Sequence, residues 1–324
     1  MIRAMAASPL RNWRSVWTPT GVQGAPRPAL ATAHSRPSGP ASESAVARVA
    51  RLGGGLPAPL LMVAAMLSFQ LGAAVATGLF DRVGVPATAC FRLGVGGLLL
   101  LAISRPNLRR PASELVWLGA FGAELAVMNL AFYEALSRIP LGVAVTVEFL
   151  GPLSVSLMQS RRLRDVLWVV LAALGIAIFA GPTSQGLDPA GIGLAALAGA
   201  GWAAYIFTAQ RVGRAWKGSQ GLACGMVVSA ILLIPFGAGG AGSVAAGSGL
   251  EIVALGVLST ALPFSLEMAA LRTLTARAYG VLASLEPAIA TVVGVAALGQ
   301  SLHAADVVAT LLVVTASVGA TFDT

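Results

Sequence analysis

Charge is scarce in this sequence. Only 10% of its 324 residues are Asp, Glu, Lys or Arg, against roughly 25% in a soluble globular protein. With 56% hydrophobic residues and a mean hydropathy of +0.82, too few polar groups exist to cover a water-facing surface, and a bilayer is the solvent that removes the need. Lysine is nearly missing. Lys217 is the sole one, and its place between apolar runs excludes a membrane-embedded Ser–Lys dyad. Cysteine is almost as rare. Cys90 and Cys224 each lie alone in an apolar run, which excludes a zinc site or a disulfide framework and leaves small packing residues. His34 and His303 have no partners at metal-ligand spacing. HExxH, GxSxG, the P-loop and aspartate-rich metal motifs are missing. No cofactor, no metal and no enzyme activity is therefore expected, and transport powered directly by ATP within this chain is excluded.

What charge there is falls unevenly. The formal balance of +8 comes from 21 Lys and Arg against 13 Asp and Glu. A nucleic-acid partner would want a basic face, but these cations sit in short clusters between apolar runs, so no nucleic acid is expected. Residues 1–56 stand apart. They are rich in Pro, Ser, Ala and Arg with one acid, Glu43, and read as a disordered or spurious N-terminal extension; their Arg-rich, acid-poor makeup also resembles a transit peptide.

From Pro57 onward, apolar runs alternate with short connections. Ten runs are predicted: 57–80, 87–104, 114–134, 140–159, 165–181, 189–210, 219–237, 251–271, 278–298 and 303–321. Each is long enough to cross about 30 Å of hydrocarbon as a helix. A strand reading fails, because the runs are too long and do not alternate. Small residues at four-residue spacing, as in Ser68-Gly72-Ala76, suit close helix approach in lipid. With this count, 18 of the 21 cations fall on one face. The opposite connections hold only Arg82 and Arg138. The positive-inside rule then makes the rich face cytoplasmic, with both termini inside.

An internal repeat is visible. Ala135-Leu136 and Pro152 recur as Ala270-Leu271 and Pro287, an offset of 135 in which Gln70 matches Tyr205. Five helices per repeat is an odd number, so the second copy must be inverted, a common plan of secondary transporters with the site near the midplane. The expected architecture is an all-α membrane protein of ten transmembrane helices as two inverted five-helix repeats, residues 57–184 and 185–321.

Carboxylates at membrane depth cost roughly 2.5–3.5 kcal/mol each on insertion scales, so Glu124, Glu148, Glu267 and Glu286 should face a cavity or a partner. Arg92 is the one basic residue inside a predicted span. It reads either as an ion-pair partner for one of those acids or as a side chain snorkelling to an interface. Pro152, Pro263 and Pro287 are helix breaks that free the carbonyls of Glu148, Ser259 and Ala283, tolerated where backbone lines a polar cavity. Asn129 with Tyr133, Trp202 with Tyr205, Ser259 with Thr260, and Gln70 add polar or aromatic groups at helical spacing. Their spread over runs one, three, four, six, eight and nine suggests one shared cavity.

These residues also carry a resemblance. The segment Pro140-Leu-Gly-Val-Ala-Val-Thr-Val-Glu148-Phe-Leu-Gly-Pro152-Leu resembles the PLGxAVxxEFxGPL segment of the threonine/homoserine exporters in the EamA group of the drug/metabolite transporter superfamily. Ser160-Arg161-Arg162, Trp202-Ala-Ala-Tyr205, Ser259-Thr260-Ala-Leu-Pro263 through Glu267, and Glu286-Pro287-Ala continue it over residues 58–320. The resemblance implies export of small amino acids across a bacterial inner membrane, coupled to protons, with lipid and substrate as partners and a monomer or dimer as the assembly. Glu148, Glu267 and Glu286 are candidates for proton coupling or ammonium recognition, Asn129, Tyr133, Trp202 and Tyr205 are candidates for the cavity wall, and Gln70 is a further candidate for substrate binding or coupling. The resemblance departs at Gln300, where many relatives carry an acid after Leu-Gly. Alternatives remain: the same fold with purines, aromatic amino acids or drugs as cargo, or a non-transporting membrane scaffold or receptor.

Overall fold

Prolines mark where helices begin. In the computed structural model, Pro57, Pro111 and Pro140 stand immediately before helices, and Pro86, Pro189 and Pro287 fall within first turns. A missing N–H costs nothing there, because the first turn has no intrahelical partner to offer it. Asp188 supplies a side-chain cap, its carboxylate accepting from Ala190 N at 2.9 Å. The structure describes residues 57–323 apart from 160–163, 181–186, 218, 271–273, 275 and 302, all within the larger of two units, Ser44–Thr324. The reading of residues 1–56 lies outside the described residues.

Fourteen helices organise the described chain: α1 (Ala58–Thr77), α2 (Phe80–Val83), α3 (Val85–Ser104), α4 (Ala112–Leu136), α5 (Leu141–Glu148), α6 (Leu150–Gln159), α7 (Arg164–Ala180), α8 (Pro189–Ala215), α9 (Gln220–Gly237), α10 (Gly249–Gly256), α11 (Leu262–Ala270), α12 (Ala276–Ala283), α13 (Glu286–Leu298) and α14 (Ala304–Asp323). Short 3-10, α and π turns join α9 to α10, and a π-helical turn, Val257–Ala261, joins α10 to α11. No strand occurs among the described residues. Seven segments are long and apolar enough to cross a bilayer: Ala58–Thr77, Val85–Ser104, Ala112–Leu136, Pro189–Ala215, Gln220–Ser243, Gly249–Glu267 and Ala278–Leu298. Leu141–Val155 and Ala304–Gly319 are shorter apolar helices. Large apolar side chains such as Leu98, Val116, Phe236, Leu250 and Val292 point outward and are 61–81% exposed. A water-soluble surface would not carry that many; a lipid-facing one would. The chain is a multi-pass membrane protein.

The three runs that carry Pro152, Pro263 and Pro287 are interrupted. The run at 140–159 ends one helix at Glu148 and restarts at Leu150, and the run at 278–298 divides at Ser284-Leu285. The run at 251–271 carries the π turn, with Ser259 and Thr260 buried in it. In the opposite sense, α8 runs past residue 210 to Ala215. Arg211 and Arg214 are therefore helical, whereas the sequence reading placed them in a connection. Long basic side chains can stay on a helix and reach outward; Arg211 lies 5.5 Å from the centre of the Trp117 ring.

The helices pair in a definite pattern. The most extensive contacts join α3 to α9, α4 to α8, α7 to α14, α4 to α9, α1 to α11, and α5 to α13. Glycine sets the closest of these approaches. A Cβ on Gly151 would collide with the Gly199 carbonyl, and one on Gly199 would lie 2.7 Å from the Glu148 carbonyl. The break after Glu148 is thus sealed by backbone from α8. In α1, a Cβ on Gly72 would come within 2.9 Å of Ser259, and Ser68 Oγ donates to the Leu258 carbonyl at 2.7 Å. The small-residue stripe of α1 packs on the π turn.

Side-chain contacts also tie connections together. Arg110 Nη1 donates to the Ala215 carbonyl at 3.1 Å and Gln220 Nε2 to the Ser104 carbonyl at 3.1 Å. At other connections Arg82 pairs with Glu251 at 2.7 Å and Arg138 with Asp188 at 3.7 Å.

Candidate functional site

The interrupted helices carry the carboxyl groups. Glu148 ends α5, Glu286 opens α13, and Glu267 follows the π turn in α11. Pro152, Pro287 and Pro263 lie four, one and four residues from those acids on the C-terminal or N-terminal side. Each break lies just upstream of its proline, because a proline removes an N–H from the turn before it.

Around these acids the fold assembles a polar row. Gln70 Nε2, from α1, donates to Glu286 Oε1 at 3.3 Å. Glu148 is 9% exposed and lies within electrostatic reach of both Glu286 and Arg92. Glu286 in turn feels Glu267. Tyr279 Oη donates to Glu267 Oε1 at 2.6 Å. Tyr205 lies near both Glu267 and Glu124, with its ring 5.5 Å from Phe121. Glu124 Oε2 accepts from Thr208 Oγ1 at 3.3 Å. Trp202 meets Phe149, at the helix break, edge-on at 5.7 Å. In a low-dielectric interior, carboxylates within electrostatic reach of one another favour a cation at the site, either a proton or a bound ammonium.

At the other end of the row lies Arg92 of α3. Its Nη2 donates to Asn129 Oδ1, and Asn129 is itself held by Nδ2 donating to the Leu125 carbonyl at 2.8 Å. The guanidinium carbon lies 5.3 Å from the centre of the Tyr133 ring, which also packs on Phe80 at 5.6 Å. Arg92 is 7% exposed. It does not snorkel, and its hydrogen-bond partner is a neutral amide rather than a carboxylate.

The structure therefore brings Gln70, Asn129, Tyr133, Glu148, Tyr205, Glu267 and Glu286 into one row, with Trp202 beside the Phe149 break. Sequence reasoning left Arg92 open between ion pairing and snorkelling, and overlooked Tyr279 and Thr208. A signal for Tyr279 existed: the chain has three tyrosines, and all three stand in this row. No cluster of His, Cys, Asp and Glu that could hold a metal occurs among the described residues.

Gln300 lies elsewhere. Its Oε1 accepts from Leu141 N at 3.1 Å, taking up one of the unpaired N–H groups that begin α5. It lines a small cleft with Pro140, Gly142, Thr291, Asp306 and Thr310.

Comparison with known proteins bears on what this row serves. The profile of the EamA-like transporter family matches residues 189–322. The threonine/homoserine exporter RhtA of Salmonella typhimurium (strain LT2) is 43% identical over 272 residues, covering 81% of this chain and 90% of that protein. The threonine/homoserine exporter RhtA of Escherichia coli K12 is 42% identical over 276 residues, covering 82% and 91%. These relatives are named as transporters, not enzymes. A protein of known crystal structure aligns with a TM-score of 0.56 at 23% identity, over 82% of this chain and 97% of its own, which shows a shared fold. A relative this similar over this much of both chains leaves one assignment: the protein belongs to the EamA-like transporter family.

Proposed function

We propose that this protein is a secondary exporter of small amino acids of the threonine and homoserine kind, driven by protons, working by alternating access in a bacterial inner membrane. The observation that carries the reading is the polar row itself. Three carboxyl groups stand on three interrupted helices at membrane depth, in a chain 42–43% identical to threonine/homoserine exporters. Carboxyl groups facing one another inside a membrane fit proton exchange and recognition of an ammonium group. Glu148, Glu267 and Glu286 take those roles, and Asn129, Tyr133, Trp202, Tyr205 and Gln70 form the wall.

The membrane architecture in this reading is ten spans in two inverted repeats, 57–184 and 185–321, with both termini cytoplasmic. Two observations support it. Shifting the chain by five spans exchanges the α4–α8 pair with the α11–α1 pair, and maps the α3–α9, α5–α13 and α7–α14 pairs onto themselves. The connections tied by Arg110 and Gln220 belong to the arginine-rich face, and those tied by Arg82 and Arg138 to the opposite one, as the parity of ten spans requires.

The test is growth of cells expressing the gene in inhibitory concentrations of threonine or homoserine, with counterflow of the labelled amino acids in proteoliposomes. Resistance with counterflow is the expected result. Normal expression with neither overturns the reading.

A further inference from the structure

The row has a positive end for which coupling and ammonium recognition provide no use. Arg92 is the one buried basic side chain among the described residues. A guanidinium offers five N–H donors in a planar fork. One nitrogen, Nη2, is taken by Asn129, but Nε is fully buried and without a hydrogen-bond partner. Tyr133 Oη, in a side chain 2% exposed, is also without one. Buried donors are seldom left unpaired in native proteins, and each one calls for an explanation. Here two of them belong to side chains in direct contact, the guanidinium carbon lying 5.3 Å from the centre of the tyrosine ring.

Arg92 is also not neutralised by contact. It lies within electrostatic reach of Glu148, yet no ion pair joins it to a described carboxylate. A buried guanidinium thus lies within electrostatic reach of a buried carboxyl group without touching it. A zwitterion suits such a pair, with its anion at one end and its cation at the other. The donor chemistry selects the anion: a guanidinium fork matches a planar pair of oxygens better than any single-point acceptor, and a phenol adds a third donor. Asn129 has a separate task. By occupying Nη2 and being pinned to the Leu125 carbonyl, it sets the rotation of the guanidinium and so the direction of its remaining donors.

We propose that Arg92 and Tyr133 form the carboxylate-binding half of the substrate site, with Asn129 as the positioning residue and the glutamate cluster receiving the ammonium end. The proposal rests on the amino-acid export reading above and deepens it. Under it, the protein selects free α-carboxylates and rejects amino amides and amino alcohols of the same size, since these would leave the buried guanidinium without an anion.

The experiment is counterflow in proteoliposomes with labelled homoserine, competed by unlabelled homoserine, its amide and the amino alcohol. The wild-type protein is expected to be inhibited by homoserine at concentrations about tenfold or more below those needed for the other two. Arg92→Gln should lose most homoserine flux and with it the preference. Tyr133→Phe removes one oxygen atom without changing shape, and should narrow the preference severalfold at unchanged yield, so the test stands even where Arg92→Gln does not insert. Asn129→Ala should raise the homoserine KM more than it lowers the maximal rate. Wild-type flux that the amide or alcohol inhibits as well as homoserine does, or a full preference retained in Tyr133→Phe and in any folded Arg92→Gln, overturns the carboxylate site while leaving amino-acid export intact. Absence of wild-type flux for homoserine and threonine overturns the export reading instead.

Discussion

Gln70 donates through Nε2 to Glu286 Oε1 at 3.3 Å, across 216 positions of sequence, and so ties the middle of α1 to the first turn of α13. The bond gives one carboxyl group of the row a fixed orientation, and it spans the two proposed repeats. A hydrogen bond to a charged group is worth about 1.5–3 kcal/mol, and stranding a buried partner costs a similar amount. Gln70→Leu keeps the volume and removes the donor. Its expected outcome is normal insertion with initial efflux slowed by about tenfold or more, read from labelled threonine efflux normalised to protein in the membrane. Unchanged efflux would show that the orientation of Glu286 is unimportant.

The seal over the α5 break gives a stability prediction with a built-in control. A Cβ on Gly199 would sit 2.7 Å from the Glu148 carbonyl, while one on Gly193, in the same helix, meets nothing within 4 Å. Gly199→Ala should therefore destabilise the protein, by about 1–3 kcal/mol for an overpacked contact. Gly193→Ala should be neutral or slightly stabilising, because alanine is the better helix former. Thermal unfolding of the two purified variants in the same detergent separates them; equal melting temperatures would contradict the packing described.

Gln300 makes a third prediction. Its side-chain oxygen caps the start of α5 at Leu141 N. Gln300→Ala should cost about 0.5–2 kcal/mol, the usual range for a lost cap, and should speed amide hydrogen exchange at Leu141 to Ala144. Gln300→Glu keeps the acceptor and adds negative charge at a helix N-terminus, where it is favoured, so exchange there should stay slow. Fast exchange in Gln300→Glu would place the capping role elsewhere. A side-chain oxygen acceptor is what the start of α5 uses.

Much of this was legible in the sequence, for identifiable reasons. Helix positions followed from apolar run length, and prolines marked both starts and breaks, since a missing N–H acts locally. The acids stood out because charge in lipid is costly wherever it faces. Partners were not legible. Nothing near Arg92 in the chain indicates Asn129, 37 residues away, or its lack of a carboxylate contact, because helix rotation and crossing decide both. Arg211 and Arg214 misled for a related reason: a basic side chain at a helix end looks like a loop charge until its length, and the Trp117 ring it reaches, are known. Tyr279 lay at the beginning of a run, where an aromatic residue reads as an interface anchor, until α11 delivered Glu267 to its hydroxyl.

The central claim is that carboxyl groups in the row couple export to protons, and Glu148 is the buried acid shared by its two ends. The most direct measurement imposes a pH gradient across proteoliposomes and follows labelled threonine in the wild-type protein and in Glu148→Gln, which keeps size and hydrogen-bonding capacity but cannot ionise. The account predicts that the gradient drives threonine uphill in the wild-type protein, and that Glu148→Gln loses this by tenfold or more while still exchanging threonine for threonine. Full gradient-driven accumulation in Glu148→Gln would contradict it.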